Sequence, residues 1–173
     1  MPETPESLLA RLDALGIVHR TVSHPPVFTV EESRALRPDL PGGHTKNLFL
    51  RPQKGDQKGD GPFLLAVLEE ERRVSVNALA RGLGVARIGF APAEDLFAQL
   101  GVTPGSVTPF GLVNAAPGAV RPVFDRVLME TFEWVNCHPL TNTMTTAIRP
   151  GDLLRFLRHL GHAPEIVDPP PPG

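Results

Sequence analysis

The chain of 173 residues has the length of one domain and is long enough to bury a core without disulfides or a structural metal. Its 17 Lys and Arg against 19 Asp and Glu give a formal net charge of −2. This charge argues against a protein that coats nucleic acid through many phosphate contacts, but it is compatible with one that contacts a single RNA end. The lone cysteine, Cys137, excludes an intramolecular disulfide, and no apolar run approaches the ~18 residues of a membrane span. With an N-terminus that lacks a signal-peptide pattern, these features predict a cytoplasmic protein.

The N-terminal part of the sequence predicts two short helices and a strand. Thr4 is placed to cap a helix that ends at Gly16, because leucines recur on one face between them. Residues 17–22 alternate like a strand. Thr29 begins a capping box, which predicts a second helix that runs towards Leu36.

Short strands dominate the rest of the sequence. Two apolar runs, 48–50 and 63–68, predict a hairpin, and the near-duplicated segment Lys54–Gly61 between them reads as an insertion at its tip. Further strands are predicted at 86–90, 112–113, 120–124, 132–135, 143–148 and 166–167, and further helices at 76–83, 93–100 and 150–160. Strands that follow one another directly favour a mixed sheet flanked by helices over an alternating βαβ fold. We assign residues 1–168 to one domain and 169–173 to a Pro-rich disordered tail.

The spacing of reactive residues argues against three kinds of site. The six histidines are scattered without a His-Glu-x-x-His motif, so no metal site is predicted. Cys137 and His138 are adjacent, and neighbours in an extended segment point to opposite faces, which argues against a Cys–His nucleophile pair. Neither a Walker loop nor a Gly-x-Ser-x-Gly motif is present.

Two segments remain as candidate binding sites. The loop 101–111 offers backbone N–H groups and hydroxyls that suit a ribose-phosphate end, or it is only a turn between elements. Lys46 stands at the start of an apolar strand and is followed by Asn47, so a point charge lies beside a side chain that both donates and accepts. The alternative for Lys46 is a solvated lysine at a strand edge, and spacing alone leaves both segments open.

Four segments in a fixed order carry a family resemblance. They are His-Pro-Pro-Val-Phe-Thr at 24–29, Thr-Lys-Asn-Leu-Phe-Leu at 45–50, Gly-Ser-Val-Thr-Pro at 105–109 and His-Pro-Leu-Thr-Asn-Thr at 138–143. From about Leu8 to Asp168, the chain closely resembles the free-standing prolyl-tRNA editing proteins, alanyl-tRNA(Pro) deacylases of the YbaK/prolyl-tRNA synthetase editing-domain superfamily. The resemblance implies an α+β fold with a mixed, mostly antiparallel sheet or partial barrel flanked by helices.

The resemblance also implies which residues form the site. The catalytic residues carried over from the family are Lys46, Asn47 and His138. Lys46 would fix the 3′ end of the tRNA, while Asn47 and His138 would hold the substrate. The loop that would clamp the terminal adenosine consists of Gly105, Ser106, Val107, Thr108 and Pro109. By their position near the lysine, we expect an apolar wall that excludes proline to be formed by Pro26, Val27 and Leu48.

The function that the resemblance implies is trans-editing, in which mischarged alanyl-tRNA(Pro) is hydrolysed to protect translation fidelity. The expected partners are the acceptor end of tRNA(Pro) and prolyl-tRNA synthetase; no DNA, membrane, metal or cofactor is expected. Lys46 followed by Asn47 favours the alanine-specific branch. The alternatives are a cysteinyl-tRNA(Pro) deacylase and a non-catalytic tRNA-binding or synthetase-associated module. The Lys54–Gly61 insertion is expected not to reach the site.

Overall fold

The computed structural model describes residues 1–26, 29–35 and 40–172. Its helices are α1 (Pro5–Ala14), α2 (Val30–Arg34), α3 (Val76–Gly82), α4 (Ala93–Leu100), α5 (Arg126–Thr131) and α6 (Pro150–His159), with a 3-10 helix at Pro109–Asn114. Its strands are β1 (His19–Ser23), β2 (Gly43–Lys54), β3 (Gln57–Lys58), β4 (Phe63–Glu69), β5 (Ile88–Phe90), β6 (Val120–Asp125), β7 (Val135–Cys137), β8 (Met144–Ile148) and β9 (Glu165–Val167). None of the helices in these ranges is long and apolar enough to span a membrane.

The first two helices begin where the capping residues predict. The hydroxyl of Thr4 accepts from the backbone N–H of Ser7, and the hydroxyl of Ser7 accepts from the N–H of Thr4, so two free donors at the start of α1 are satisfied. The hydroxyl of Thr29 accepts from the backbone N–H of Glu32 in the same way. The predicted end of this second helix, at Leu36, lies outside the described residues.

Three local predictions are wrong, and one helix was missed. The strand predicted at 132–135 begins only at Val135, where β7 starts. The predicted strand at 112–113 belongs instead to the 3-10 helix, which Thr108 caps by accepting from the N–H of Phe110. Helix α5 was not predicted, because its start depends on the side chain of Asp125 at the end of a strand. Strand β2 is much longer than its apolar run, so Lys46 and Asn47 lie inside a strand and not at its beginning.

The strands form one mixed sheet in which antiparallel neighbours predominate. Its order is β1-β8-β7-β2-β4-β6-β9, and β3 and β5 pair separately with β2. The pairs β1/β8, β7/β8, β2/β4, β2/β3 and β2/β5 are antiparallel, while β2/β7, β4/β6 and β6/β9 are parallel. The α+β class and the mostly antiparallel sheet are therefore confirmed.

Helices pack on both faces of the sheet, so its central strand β4 is apolar and buried from Phe63 to Leu68. Leu65 and Val67 belong to the larger core cluster, which also contains residues of α1 and α6. Leu64 and Leu68 point the other way, into a second cluster with Leu79 of α3. Because side chains alternate along a strand, each residue of the neighbouring β2 is assigned to one of these two faces.

A buried ion pair holds the turn that follows β4. Asp125 is fully buried and accepts from the guanidinium of Arg72 at 2.7 and 2.9 Å. Its carboxylate also accepts from the backbone N–H groups of Glu69 and Val127. The donors come from both sides, Glu69 and Arg72 from the turn and Val127 from α5, so the carboxylate fixes the turn after β4 to the start of α5.

Replacing Asp125 with alanine is expected to lower the free energy of unfolding by about 3 kcal/mol, because it leaves a largely buried guanidinium and two N–H groups without their acceptor. Burial acts to raise the pKa of Asp125, but the hydrogen bonds from Arg72 and from the backbone of Glu69 and Val127 outweigh it and hold that pKa below its usual value. The pair therefore stabilises the fold above the unfolded-state pKa of about 3.9, and this contribution is lost as the pH falls through the lower folded-state pKa.

Urea denaturation of wild type and variant at several pH values measures both effects. Asp168→Ala is the matched control, since Asp168 also pairs with an arginine, Arg126, but is largely exposed; it should change stability little. A variant Asp125→Ala as stable as wild type, or a stability difference that persists unchanged into strong acid, would contradict the prediction.

Candidate active site

A cavity lies where the parallel pairing of β2 and β7 ends. These strands pair at only two positions, Gly43 with Val135 and His44 with Asn136. Residues of both strands line a cavity of about 260 Å³ there, together with Glu70 after β4, Gly105 and Val107 of one loop, and Thr145 of β8. The lining residues are His44, Thr45, Asn47, Glu70, Gly105, Val107, Asn136, Cys137, His138 and Thr145.

Four of the residues predicted from the sequence meet in this cavity. Asn47 comes from β2, Gly105 and Val107 from the loop before the 3-10 helix, and His138 from the end of β7. Asn47 and His138 are far apart in the sequence. The hydrogen bond between Thr45 and Asn136, which joins the two strands, likewise spans 91 positions of the chain. The structure thus brings three of the four resembling segments to one place.

The rest of the predicted clamp loop supports the cavity from behind. The hydroxyl of Thr108 is fully buried and donates to the backbone carbonyl of His138 at 2.6 Å. Ser106 and Pro109 are also buried and do not line the cavity. Gly105 has a φ of +93°, a conformation that a residue with a Cβ atom rarely adopts. The loop is therefore tied to His138 before any substrate binds.

Lys46 and Leu48 lie on the other face of β2. Lys46 pairs with Leu68 and Asn47 with Val67, so Lys46 and Leu48 share a face with the second core cluster. The ammonium of Lys46 donates to the backbone carbonyl of Arg72, in the turn after β4. The structure does not place either side chain in the cavity, because adjacent positions of a regular strand point in opposite directions.

The predicted apolar wall is not assembled by the described residues. Pro26 is exposed and Leu48 packs against the second cluster, while Val27 lies outside the described residues. The apolar side chain that does line the cavity beside its polar groups is that of Val107. Closeness to Lys46 in the sequence does not predict which side chains line the cavity, because it does not show on which face of the strand a side chain lies.

Two histidines face each other beside the cavity. The Nδ1 of His138 donates to the carbonyl of Met144 at 3.0 Å, and the Nδ1 of His24 donates to the carbonyl of Pro25 at 2.8 Å. The rings lie 6.3 Å apart. Burial lowers the pKa of His138, and the proximity of His24 lowers it further, against the effect of the bond to Met144. His138 is therefore neutral at neutral pH, and its Nε2 keeps a lone pair that can accept a proton or a hydrogen bond.

Four further polar residues of the site were missed by sequence reasoning. His24 bonds through Nε2 to the hydroxyl of Thr145, at 2.8 Å. Thr45 donates to the backbone carbonyl of Asn136 at 2.9 Å and accepts from the amide of Asn47 at 3.1 Å. His24 and Thr45 stand within the resembling segments, which was a usable signal. Nothing in the sequence distinguishes Asn136 or Thr145 from other polar strand residues.

Cys137 lines the cavity as an unreactive thiol. Burial raises its pKa to about 12, against a weaker opposing effect of the hydroxyl of Thr45. At neutral pH the group is therefore protonated, and the thiolate that would act as a nucleophile is scarcely populated.

Replacing Cys137 with alanine is expected to leave the hydrolysis that the resemblance implies intact, because a protonated thiol does not act as a nucleophile. The wild-type thiol should also resist alkylation by iodoacetamide in the native protein and react fully after unfolding in urea. Rate measurements on the variant and mass spectrometry of the treated protein check the two statements. Loss of hydrolysis in a variant of normal stability would show instead that the thiol takes part.

A larger cavity, of about 490 Å³, lies elsewhere on the molecule. The insertion lines it through Lys54, Gly59, Asp60 and Gly61, and it shares no lining residue with the candidate active site. Within the described part of the chain, no three His, Cys, Asp or Glu side chains are grouped as they would be around a metal ion.

Comparison with known proteins identifies the family. Residues 24–156 match the model of the aminoacyl-tRNA editing domain, and the chain belongs to that family. It is 39% identical over 165 residues to the bovine (Bos taurus) prolyl-tRNA synthetase associated domain-containing protein 1, covering 94% of this chain and 93% of the relative. It is 29% identical over 163 residues to the prolyl-tRNA editing protein ProX of Acetoanaerobium sticklandii, covering 94% and 96%.

A solved structure shows the same fold. The crystal structure of a protein described as a candidate trans-editing enzyme for prolyl-tRNA synthetase superposes with a TM-score of 0.70 over 100% of both chains, at 19% sequence identity. The family predicted from the four resembling segments is therefore confirmed.

Proposed function

We propose that this protein is a trans-editing hydrolase that deacylates tRNA(Pro) mischarged with alanine. The observation that carries the proposal is the convergence of Asn47, Val107 and His138 on one small cavity, from segments far apart in the sequence. The family is that of the aminoacyl-tRNA editing domain, and a relative aligned along almost its whole length is named a prolyl-tRNA editing protein.

The size of the cavity favours an aminoacyl group as its occupant. A volume of about 260 Å³ falls below the ~300–1,000 Å³ typical of sites for drug-sized molecules. The amino acid with its ester carbonyl would enter, and the terminal adenosine would remain outside against the backbone of the loop at Gly105. A net charge of −2 is compatible with this mode, because only the acceptor end of the tRNA is held.

The chemistry requires positioning more than a nucleophile. An aminoacyl ester is already activated, so hydrolysis needs an oriented water and stabilisation of the developing oxyanion. The neutral His138 supplies a lone pair at Nε2 that would orient the water or the terminal 2′-hydroxyl, and the amide of Asn47 would hold the aminoacyl group. The protonated Cys137 takes no covalent part.

Lys46 would act from outside the cavity. Its ammonium lies at the turn of Arg72, two residues along the chain from Glu70, which lines the cavity. From there it would hold a phosphate of the 3′ end while its neighbour Asn47 holds the aminoacyl group on the other face of the strand. The division of roles follows from the alternation of side chains along β2.

The test is deacylation of tRNA(Pro) charged in parallel with alanine, cysteine, serine and proline. We expect the alanyl ester to be cleaved fastest and the prolyl ester to be spared. Preferential cleavage of the cysteinyl ester would identify a cysteinyl-tRNA(Pro) deacylase. Binding of tRNA(Pro) without cleavage of any ester would identify the non-catalytic module, which the names of the synthetase-associated relatives also allow.

A further inference from the structure

Two amide oxygens at the cavity have no hydrogen-bond partner among the residues that the structure describes. Asn136 is only 3% exposed, and its Nδ2 donates to the backbone carbonyls of Pro41 and Gly43 at 3.2 and 3.1 Å. Its Oδ1 is buried and has no partner in the described part of the chain. The Oδ1 of Asn47 is in the same situation, since the Nδ2 of that residue donates to Thr45.

The orientation of both amides is determined by their neighbours. Pro41 and Gly43 offer carbonyl oxygens, which only accept, so the nitrogen of Asn136 must face them. The hydroxyl of Thr45 gives its proton to the backbone carbonyl of Asn136 and so must accept from Asn47. The oxygen of each amide is thereby left for another donor. Buried acceptors without partners are rare in folded proteins and call for an explanation.

The charges around the cavity favour a small cation as that donor. The described lining contains no lysine or arginine side chain. The lowered pKa of His138 keeps its imidazole neutral, and the ammonium of Lys46 lies on the other face of β2. An ammonium group would therefore meet two carbonyl-type oxygens, with no lysine or arginine of that lining to repel it.

We propose that the Oδ1 atoms of Asn136 and Asn47 accept N–H groups of the substrate's α-ammonium, so that Asn136 is a substrate-binding residue. This proposal rests on the proposed function, since it assigns one end of the aminoacyl group within the same cavity. The alanyl ammonium can give two of its three N–H groups to these acceptors in several orientations. The prolyl ammonium has only two N–H groups and carries its ring on the nitrogen, which restricts the orientation in which both acceptors are reached. Two acceptors that share one ammonium would therefore add to the discrimination against proline.

The experiment compares two esters that differ at the ammonium alone. Alanyl-tRNA(Pro) and lactyl-tRNA(Pro) share their acyl carbon and methyl group, but the second has a neutral hydroxyl where the first has its ammonium. We expect Asn136→Ala to lower kcat/KM for the alanyl ester by roughly 10- to 100-fold, the value of a hydrogen bond to a charged group. The same substitution should change kcat/KM for the lactyl ester far less.

Two further variants separate binding from structure. Asn47→Ala removes the second acceptor and only one internal hydrogen bond, so it should show the same alanyl-specific loss even if Asn136→Ala folds poorly. Asn114→Ala is the matched control, because Asn114 also bonds through its amide to backbone groups but lies away from the cavity. It should lower stability without changing the ratio of the two substrates. Equal losses on both esters in Asn136→Ala and Asn47→Ala would overturn the proposal.

A binding measurement distinguishes this proposal from the proposed function. Acceptor-stem RNAs that carry alanine or lactate through a 3′-amide cannot be hydrolysed, and their affinities are measurable whether or not the protein is a catalyst. Weaker binding of the alanyl amide alone by Asn136→Ala would support the ammonium site. If the wild type fails to hydrolyse the alanyl ester but the binding difference is observed, the proposed function is contradicted and the ammonium site is still supported. Equal affinities of wild type and variant for the alanyl amide would sink the ammonium site.

Discussion

Replacing Lys46 with alanine is expected to lower kcat/KM for alanyl-tRNA(Pro) by roughly 10- to 150-fold, the equivalent of about 1.5–3 kcal/mol for a lost charge-assisted hydrogen bond. The variant should fold normally, since Lys46 is half-buried and its ammonium bonds to a carbonyl in a turn that the pair of Asp125 and Arg72 holds independently. Steady-state deacylation and urea denaturation of the same preparations measure both quantities.

Lys58→Ala is the matched control for Lys46. The ammonium of Lys58 also donates to backbone carbonyls, those of Gly59 and Gly61, but it lies on the insertion at the other cavity. It should retain wild-type kcat/KM. If folded Lys46→Ala kept more than about a tenth of wild-type kcat/KM, a loss under about 1.4 kcal/mol, Lys46 would not hold the 3′ end in the way proposed.

Shortening Val107 to alanine is expected to relax the exclusion of proline. Val107 is the aliphatic side chain that lines the cavity among its polar groups, and a rigid wall rejects a larger residue by steric clash. Removal of its two methyl groups should raise the rate for prolyl-tRNA(Pro) relative to alanyl-tRNA(Pro) by at least about 10-fold, the lower end of what one methylene contributes to discrimination. Parallel kcat/KM measurements on the two esters give the ratio.

Leu48→Ala separates a wall effect from a general loss of packing. Leu48 packs against the second core cluster, on the face of β2 away from the cavity, so the variant should be less stable but equally selective. The opposite result would be a change in the ratio of prolyl to alanyl cleavage in Leu48→Ala and no change in Val107→Ala. It would show that Leu48 forms the wall, as expected from its sequence position, and that Val107 does not.

Local sequence signals predicted the elements that depend on neighbouring residues. The caps at Thr4 and Thr29 predicted where two helices begin, and α4 has the bounds that its pattern indicates. Elements that depend on distant contacts were predicted less well. The 3-10 helix replaced a predicted strand, and α5 is capped by Asp125, whose carboxylate is held by an arginine 53 positions earlier in the chain.

The family and its four motif segments were determined by the sequence alone, because the order and identity of those residues are themselves the evidence. Which side chains share a cavity was decided only by the tertiary structure. Parallel pairing of β2 with β7 brings Asn136 beside Thr45, across 91 positions of the chain, and assigns Asn47 to the cavity and Lys46 to the opposite face. The sequence of a strand shows that successive side chains point to opposite faces of the sheet. Which of the two faces forms the site depends on the elements that pack against the strand.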